Sequence, residues 1–203
     1  DQLCRVLQQL HVRAGVDILS ILTPDGHVVC RAHTGTSSGD DLSSNLIVAQ
    51  AIRDHTTAIG TVITPREQLV REGAGLVEKA QFTLVPTATT RPSDGKLYCD
   101  GMVAAVAVPV LGSDGQLLGL LYGANLLSRR YELVDAIRNQ VFPHESFGGK
   151  ELGTVTLFQY DVRIATNVIG EDGQRAVGTR MSDVVRQKVL VQGETFADRA
   201  MVI

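Results

Sequence analysis

The sequence predicts an α+β fold: an N-terminal helix, then two modules with antiparallel sheets, of which the second lacks its last strands. Three observations support this prediction. Apolar residues near the N terminus repeat with helical spacing. Asp-Gly pairs separate neighbouring apolar runs, which is the strongest short-range signal for a β-hairpin. The strand-strand-helix-strand order that follows residue 15 recurs in the last quarter of the chain, which indicates an internal duplication.

Length and composition restrict the class of protein. A chain of 203 residues can form one large domain or two small ones. With 44% hydrophobic and 20% charged residues it has the composition of a globular protein, and a net charge of −3 argues against nucleic acid as a partner. No apolar run is long enough to cross a bilayer and there is no signal peptide. Because the sequence starts at Asp1, we expect a fragment of a longer protein.

The first module is predicted over residues 15–127, after a connecting helix over residues 1–14. Two hairpins and a helix account for most of it, and together they give a five-stranded antiparallel sheet. The last two strands are so uniformly apolar that we expect both of their faces to be covered. The predicted elements are a helix with Leu3, Val6, Leu7 and Leu10 on one side, strands over 17–23 and 27–33, a helix over 45–55 capped by Ser43 or Ser44, and strands over 57–64, 102–111 and 116–127.

Between the third and fourth strands lies a long insertion over residues 65–100. Short helices are predicted over 66–71 and 76–80, and the remainder has no regular pattern. Insertions of this length are usually functional or disordered. We interpret it as a lid or wall over a binding site.

A connecting helix and linker over residues 128–152 precede the second module, over residues 153–203. Ser128 is the predicted N-cap of the helix. The second module repeats the first as a hairpin over 154–159 and 162–168, a helix capped by Ser182, and a strand that starts at residue 194.

Several stretches of this sequence resemble the double Cache domains, which are PAS-like modules. They are residues 17–26, 118–125 and 158–168, together with Ala176-Val-Gly-Thr-Arg180. Double Cache domains are extracytoplasmic sensors of bacterial chemoreceptors and sensor histidine kinases. The resemblance therefore implies a periplasmic sensing domain of a membrane-anchored protein, with the N-terminal helix leading out of a membrane span.

The three cysteines are too few for a disulfide framework. We interpret Cys4, Cys30 and Cys99 as small core residues, while a Cys30–Cys99 bridge stays open because both lie on or near predicted strands.

Arg31 and His33 are the candidate anion-binding pair. They alternate along one strand and so share a face of an otherwise apolar hairpin. A guanidinium can grip a carboxylate with two charge-assisted hydrogen bonds. The alternative is a solvent-facing edge position, or a salt bridge from Arg31 to Asp40 or Asp41.

Four further residues complete the hypothesised pocket. Thr61, Tyr122 and Asn125 would supply hydrogen bonds, and Met102 would supply an apolar wall. The ligand would be a small carboxylate held between the first sheet and its loops, and binding would shift the N-terminal helix. No metal is expected, because the five histidines lack ligand spacing, and no cofactor is expected because the glycine patterns at residues 73–75 and 148–150 lack the context of nucleotide-binding motifs.

Two other functions are alternatives to this one. A serine hydrolase would use Ser37 in the sequence Gly35-Thr-Ser-Ser-Gly39, but this Ser lies in a loop of an antiparallel context rather than at a strand-to-helix turn. A structural or dimerisation spacer would leave the first module empty. We expect a non-enzymatic sensor domain whose partner is a small molecule, and whose parent protein can form a homodimer.

Overall fold

The computed structural model describes residues 2–34, 39–86, 97–143, 146–147, 150–151, 153–170 and 172–197. In chain order the elements are α1 Gln2–Ala14, β1 Ile18–Leu22, β2 Val28–Arg31, α2 Leu46–Asp54, β3 Ala58–Thr64, α3 Arg66–Glu72, α4 Ala74–Ala80, β4 Phe82–Thr83, β5 Leu97–Tyr98, β6 Gly101–Leu111, β7 Leu117–Leu126, α5 Tyr131–Val141, β8 Ser146–Phe147, β9 Lys150–Glu151, β10 Thr156–Gln159, β11 Val162–Thr166 and α6 Asp183–Arg186, which continues as a π-helical turn over Gln187–Val191. The predicted α+β class is confirmed.

The chain divides into two compact units. The first unit comprises residues 1–78 and 100–126, and the second comprises residues 79–99 and 127–203. The insertion predicted over residues 65–100 is therefore shared: α3 belongs to the first unit, whereas the paired strands β4 and β5 belong to the second. Its residues 87–96 lie outside the described part.

A five-stranded antiparallel sheet forms the centre of the first unit, in the order β2-β1-β7-β6-β3. This is the sheet that the two hairpins and the intervening helix predict. At the first hairpin the Gly26 amide donates to the Thr23 carbonyl at 3.0 Å. Gly26 has a φ of +93°, which only glycine adopts at little cost, and this explains the Asp-Gly signal.

The two faces of this sheet carry different helices. The α2 face includes Gly60, where an added β-carbon would meet the Ile47 side chain at 2.9 Å. The strand register places Tyr122 and Arg31 on this face as well, because both pair with Ser20. The α1 face carries Leu19 and Cys30, which pack with Cys4 and Leu7 of α1.

The prediction that both faces of β6 and β7 are covered is wrong. Helix α1 lies over β1 and β2, at one end of the sheet. On the same face Ile59 of β3 is 76% exposed, and Val108 and Val110 of β6 are 38% and 49% exposed. Apolar composition alone did not distinguish a covered face from an open one.

Helix α1 is confirmed, but its buried side differs from the predicted stripe. Leu7 is buried with Cys4, whereas Leu3, Val6 and Leu10 stay about half exposed. Cys4 forms a disulfide with Cys30, across a Cα–Cα distance of 5.8 Å, and Cys99 has a free thiol. The Cys30–Cys99 alternative is therefore wrong, because α1 brings Cys4 to the sheet face on which Cys30 lies.

Helix α2 is capped by Asn45 rather than by Ser43 or Ser44. The Asn45 Oδ1 accepts hydrogen bonds from the amides of Ile47 and Val48, at 3.0 and 3.3 Å. These are two of the donors that the first turn of a helix leaves unpaired.

Replacing Asn45 tests this assignment. We expect Asn45→Ala to lower the free energy of unfolding by about 1 kcal/mol, because the first-turn amides lose their acceptor. Ser44→Ala is the matched control and should stay within about 0.5 kcal/mol of the wild type, since Ser44 is exposed. The measurement is urea unfolding. A larger loss in the Ser44 variant than in the Asn45 variant would restore the predicted serine cap.

The second unit contains the predicted hairpin as β10 and β11, and the predicted helix as α6 with the Ser182 Oγ as acceptor for the Val185 amide. Helix α5 is confirmed, but Ser128 does not cap it; Arg130 occupies that position without a side-chain cap. Residues 194–197 form no strand. The rest of the strand predicted from residue 194 lies outside the described residues.

Candidate functional site

The α2 face of the first unit buries a cluster of charged side chains around Arg31. Arg31 Nε donates to Glu72 Oε1 at 2.7 Å, and its two Nη atoms donate to the carboxylate of Asp40 at 2.7 and 2.5 Å. Both Arg31 and Glu72 are 1% exposed at the side chain. Arg71 reaches Asp40 from the solvent side at 3.1 Å, so two cations meet two carboxylates. The cluster is therefore electrically balanced.

Burial and pairing shift the acidities within this cluster in opposite directions. Burial alone would lower the pKa of Arg31, but its hydrogen bonds and charge contacts with Asp40 and Glu72 outweigh burial and raise it. Burial raises the pKa of Glu72, although the adjacent Arg31 opposes this. Ser20 Oγ donates to the second oxygen of Glu72 at 3.4 Å. The cluster holds the end of α3 against β2.

The structure does not bring the six predicted site residues together. Arg31 and Tyr122 lie on the α2 face, whereas Thr61, Met102 and Asn125 belong to the opposite, α1 face by register. Asn125 accepts a hydrogen bond from the Asp17 amide at 3.0 Å. Contact of any of these residues with a ligand stays a prediction, but one pocket on one face cannot include all of them.

Arg31 and His33, the predicted anion-binding pair, lie in different environments: Arg31 is buried and paired, whereas His33 is exposed. Arg31 makes the salt bridge to Asp40 that the alternative interpretation named. His33 is exposed, and its ring lies beside Gly73, where an added β-carbon would come within 3.2 Å of it. A carboxylate would have to displace Asp40 or Glu72 to reach the Arg31 guanidinium.

Tyr122 is fully buried, and its hydroxyl lies 3.4 Å from Asn45 Nδ2. Burial raises the pKa of Tyr122 to about 12. The folded state thus keeps the phenolic proton to higher pH than the unfolded state does, so stability is lost as pH rises from 10 to 12.

A pH series tests the environment of Tyr122. Between pH 9 and pH 11 we expect the wild type to lose about 1.3 kcal/mol more stability than Tyr122→Phe, which has no proton to lose. Denaturant unfolding of both proteins at each pH gives this difference. Parallel pH curves for the two proteins would show that Tyr122 ionises normally.

A cavity of about 480 Å³ opens beside the edge strand of the first unit. The loop before α2, strand β3 and helix α3 line it. Thr61 is the only predicted site residue among its lining residues, and Asp41 contributes a carboxylate whose pKa is lowered by hydrogen bonds from Ser43. Its described lining residues include no arginine, so their charge does not favour an anion.

The second unit has a pocket of similar volume, about 480 Å³, that is more polar and contains two arginines. Its lining residues are Phe82, Thr83, Arg129, Tyr131, Asp172, Gln174, Arg175 and Val177. Sequence reasoning missed this pocket. The strongest available signal was the Ala176-Val-Gly-Thr-Arg180 motif, which borders it.

Gly178 explains why that motif borders the pocket. Its φ is +86°, and an added β-carbon would collide with the Thr83 carbonyl oxygen. The Gly178 carbonyl accepts a hydrogen bond from the Val85 amide at 3.0 Å. The segment before and after β4 can therefore lie against residue 178 and form one wall of the pocket.

In the part of the chain that the structure describes, no group of three or more His, Cys, Asp or Glu side chains could hold a metal ion. None of the described helices has the length and apolar composition needed to cross a bilayer. Ser37, the candidate hydrolase nucleophile, lies outside the described residues.

Comparison with known proteins adds a family match. No curated protein matches this sequence. Among solved structures, a PAS domain from Colwellia psychrerythraea is 16% identical over 60% of this chain and 98% of its own, with a TM-score of 0.33. The periplasmic domain of Vibrio cholerae LuxQ is also 16% identical, with a TM-score of 0.37; the match covers 84% of this chain and 60% of that domain. Residues 125–203 match the model of the family "Single cache domain 3", and the resemblance to Cache sensor domains is thereby confirmed, with its family support in the second unit.

Proposed function

We propose that this chain is the extracytoplasmic sensing domain of a membrane-anchored receptor, a chemoreceptor or a sensor histidine kinase, and that it binds a small carboxylate without catalysing a reaction. The observation that carries the proposal is the Cache match over residues 125–203, in a unit that has a pocket lined by two arginines. Cache domains are sensor domains, and pockets of 300–1,000 Å³ suit small molecules.

The disulfide supports a location outside the cytoplasm. Cys4 and Cys30 are paired, and disulfides persist mainly outside the cytoplasm, where thiols are not kept reduced. This favours a periplasmic location, which the number of cysteines alone did not decide.

A thermal shift series on the wild-type chain tests the proposal. The panel contains acetate, L-lactate, L-malate, succinate and L-alanine, with choline as a non-carboxylate control. A ligand present at 100 times its Kd stabilises the folded state by about 2.7 kcal/mol. We expect at least one carboxylate to raise the melting temperature and choline to leave it unchanged. A flat response to every carboxylate would contradict ligand sensing of this class.

A dimerisation spacer is the second candidate, and one observation favours it. The α1 face exposes Ile59 of β3 and Val108 and Val110 of β6, which share that face by strand register. Exposed apolar residues on one sheet face are typical of a protein interface when they form a patch. A spacer would form a homodimer and would respond to none of the ligands in the panel, so the same thermal series separates the two functions.

A further inference from the structure

We propose that Arg129 is the anion-binding residue of this sensor and that the pocket of the second unit takes a small carboxylate that also carries a hydrogen-bond donor. This inference rests on the proposed function and names its site. It moves the binding site away from Arg31 in the first unit, where the guanidinium is already paired with two carboxylates.

Among the described residues no carboxylate pairs with Arg129, whose side chain is exposed to solvent. Its Nη2 donates to the Gln81 carbonyl at 3.0 Å. Its neighbours differ: Arg130 pairs with Glu132, and Arg175 pairs with Asp135 at 2.8 and 2.7 Å. Of the two arginines that line the pocket, Arg129 therefore has donors left for a ligand.

The backbone of Arg129 is held in an unusual conformation. Among the described residues, three that are not glycine have a positive φ: His55, Arg129 and Tyr160. His55 caps the end of α2 and Tyr160 lies in the turn between β10 and β11, where such angles are common. Arg129, with a φ of +57°, precedes a helix and is fixed by its amide, which donates to the Ile164 carbonyl at 2.7 Å. Conformations of this kind concentrate at functional sites.

Arg175, which also lines the pocket, acts as a positioning residue. Its guanidinium is clamped by Asp135 and also donates to the Thr166 carbonyl at 2.9 Å. It lies 4.6 Å from the centre of the Tyr131 ring, a cation–π distance. The pocket is therefore preformed around Tyr131, so that a ligand would not have to order these side chains.

Asp172 and Gln174 determine which functional group the ligand needs besides its carboxylate. Both line the pocket, and Asp172 accepts a hydrogen bond from the Gln174 amide at 2.9 Å. A carboxylate held by Arg129 would therefore need a hydroxyl or an ammonium group directed towards Asp172, since a second anionic group there would be repelled. Hydroxycarboxylates and amino acids share this chemistry, whereas succinate lacks it.

The experiment is calorimetric titration of L-lactate, L-alanine and succinate into the full chain. The variants are Arg129→Gln, Arg129→Gly and the control Arg130→Gln. We expect Arg129→Gln to weaken binding of the best probe about 10- to 100-fold and Arg130→Gln to leave it unchanged. Arg129→Gly keeps the fold testable, because glycine adopts a positive φ without strain, and it should bind as weakly as Arg129→Gln at an unchanged or higher melting temperature.

The outcomes distinguish this inference from the proposed function. If the wild type binds a probe and both Arg129 variants bind it as tightly, the pocket assignment is overturned while the sensor function stands. If the wild type binds none of the carboxylates in the thermal series, the proposed function itself fails. Asp172→Asn separates the two classes of ligand. A wild type that prefers L-alanine and a variant that no longer binds it indicate an amino acid, whereas a wild type that prefers L-lactate and a variant that still binds it indicate a hydroxycarboxylate. Tighter binding of succinate than of either would overturn the donor requirement.

Discussion

We expect the Arg31→Ala variant to be less stable than the wild type by about 3–5 kcal/mol, because the substitution leaves Glu72 and Asp40 without their buried cation. Glu72 is 1% exposed at its side chain, so water cannot replace the guanidinium. Equilibrium unfolding in urea at pH 7 measures the loss.

Arg71→Ala is the matched control for this variant. Arg71 also contacts Asp40, but its side chain is 55% exposed, and exposed ion pairs contribute about 0–1 kcal/mol. The hypothesis that Arg31 grips a ligand predicts the opposite pattern, in which stability is kept and affinity is lost. An Arg31→Ala variant within 1 kcal/mol of the wild type would show that the buried cluster does not hold α3 to the sheet.

Removing the disulfide should have an effect of similar size. Cys4 and Cys30 are 26 residues apart, and in the chain-entropy model closing a loop of that length contributes about 3–4 kcal/mol. We therefore expect the double variant Cys4→Ala/Cys30→Ala to lose about that amount, and α1 to separate from β1 and β2 first. Wild-type protein with and without dithiothreitol provides the same comparison without a mutation.

Cys99→Ala controls for cysteine replacement as such. Its thiol is free and partly exposed, so this variant should match the wild type and keep the same response to dithiothreitol. Equal stability of oxidised and reduced wild type would mean that the Cys4–Cys30 bond does not hold α1 in place.

The elements that could be predicted are those with local signals. The hairpin of β1 and β2 follows from Asp25-Gly26, and the hairpin of β6 and β7 follows from Asp114-Gly115. Helix α2 follows from its apolar spacing. Each signal lies within a few residues of the element that it specifies, so tertiary context did not have to be known.

The site could not be predicted in the same way, because its contacts join distant residues. Arg31 forms a hydrogen bond with Glu72, 41 positions away, only because α3 packs on the α2 face of the sheet. Arg129 lies in Ser128-Arg-Arg-Tyr131, which contains no turn signal, so neither its positive φ nor its pocket has a pattern to find.

The separation of Tyr122 from Asn125 follows from the sequence alone. Tyr122 and Asn125 are three positions apart on a single strand, and side chains alternate with period two, so the two must face opposite sides of the sheet. Counting positions along the predicted strand would have separated them. The same count places Thr61 with Asn125 only once the register of β3, β6 and β7 is known.

Hydrogen exchange of the full chain, with and without the carboxylate that stabilises it most, tests the central claim most directly. We predict slower exchange at residues 81–83, 129–131 and 172–177, which border the pocket of the second unit, and little change at residues 39–46 and 61–72 of the first. Protection confined to the first unit around Arg31 and α3, or no protection at residues 129–131, would contradict a carboxylate site at Arg129.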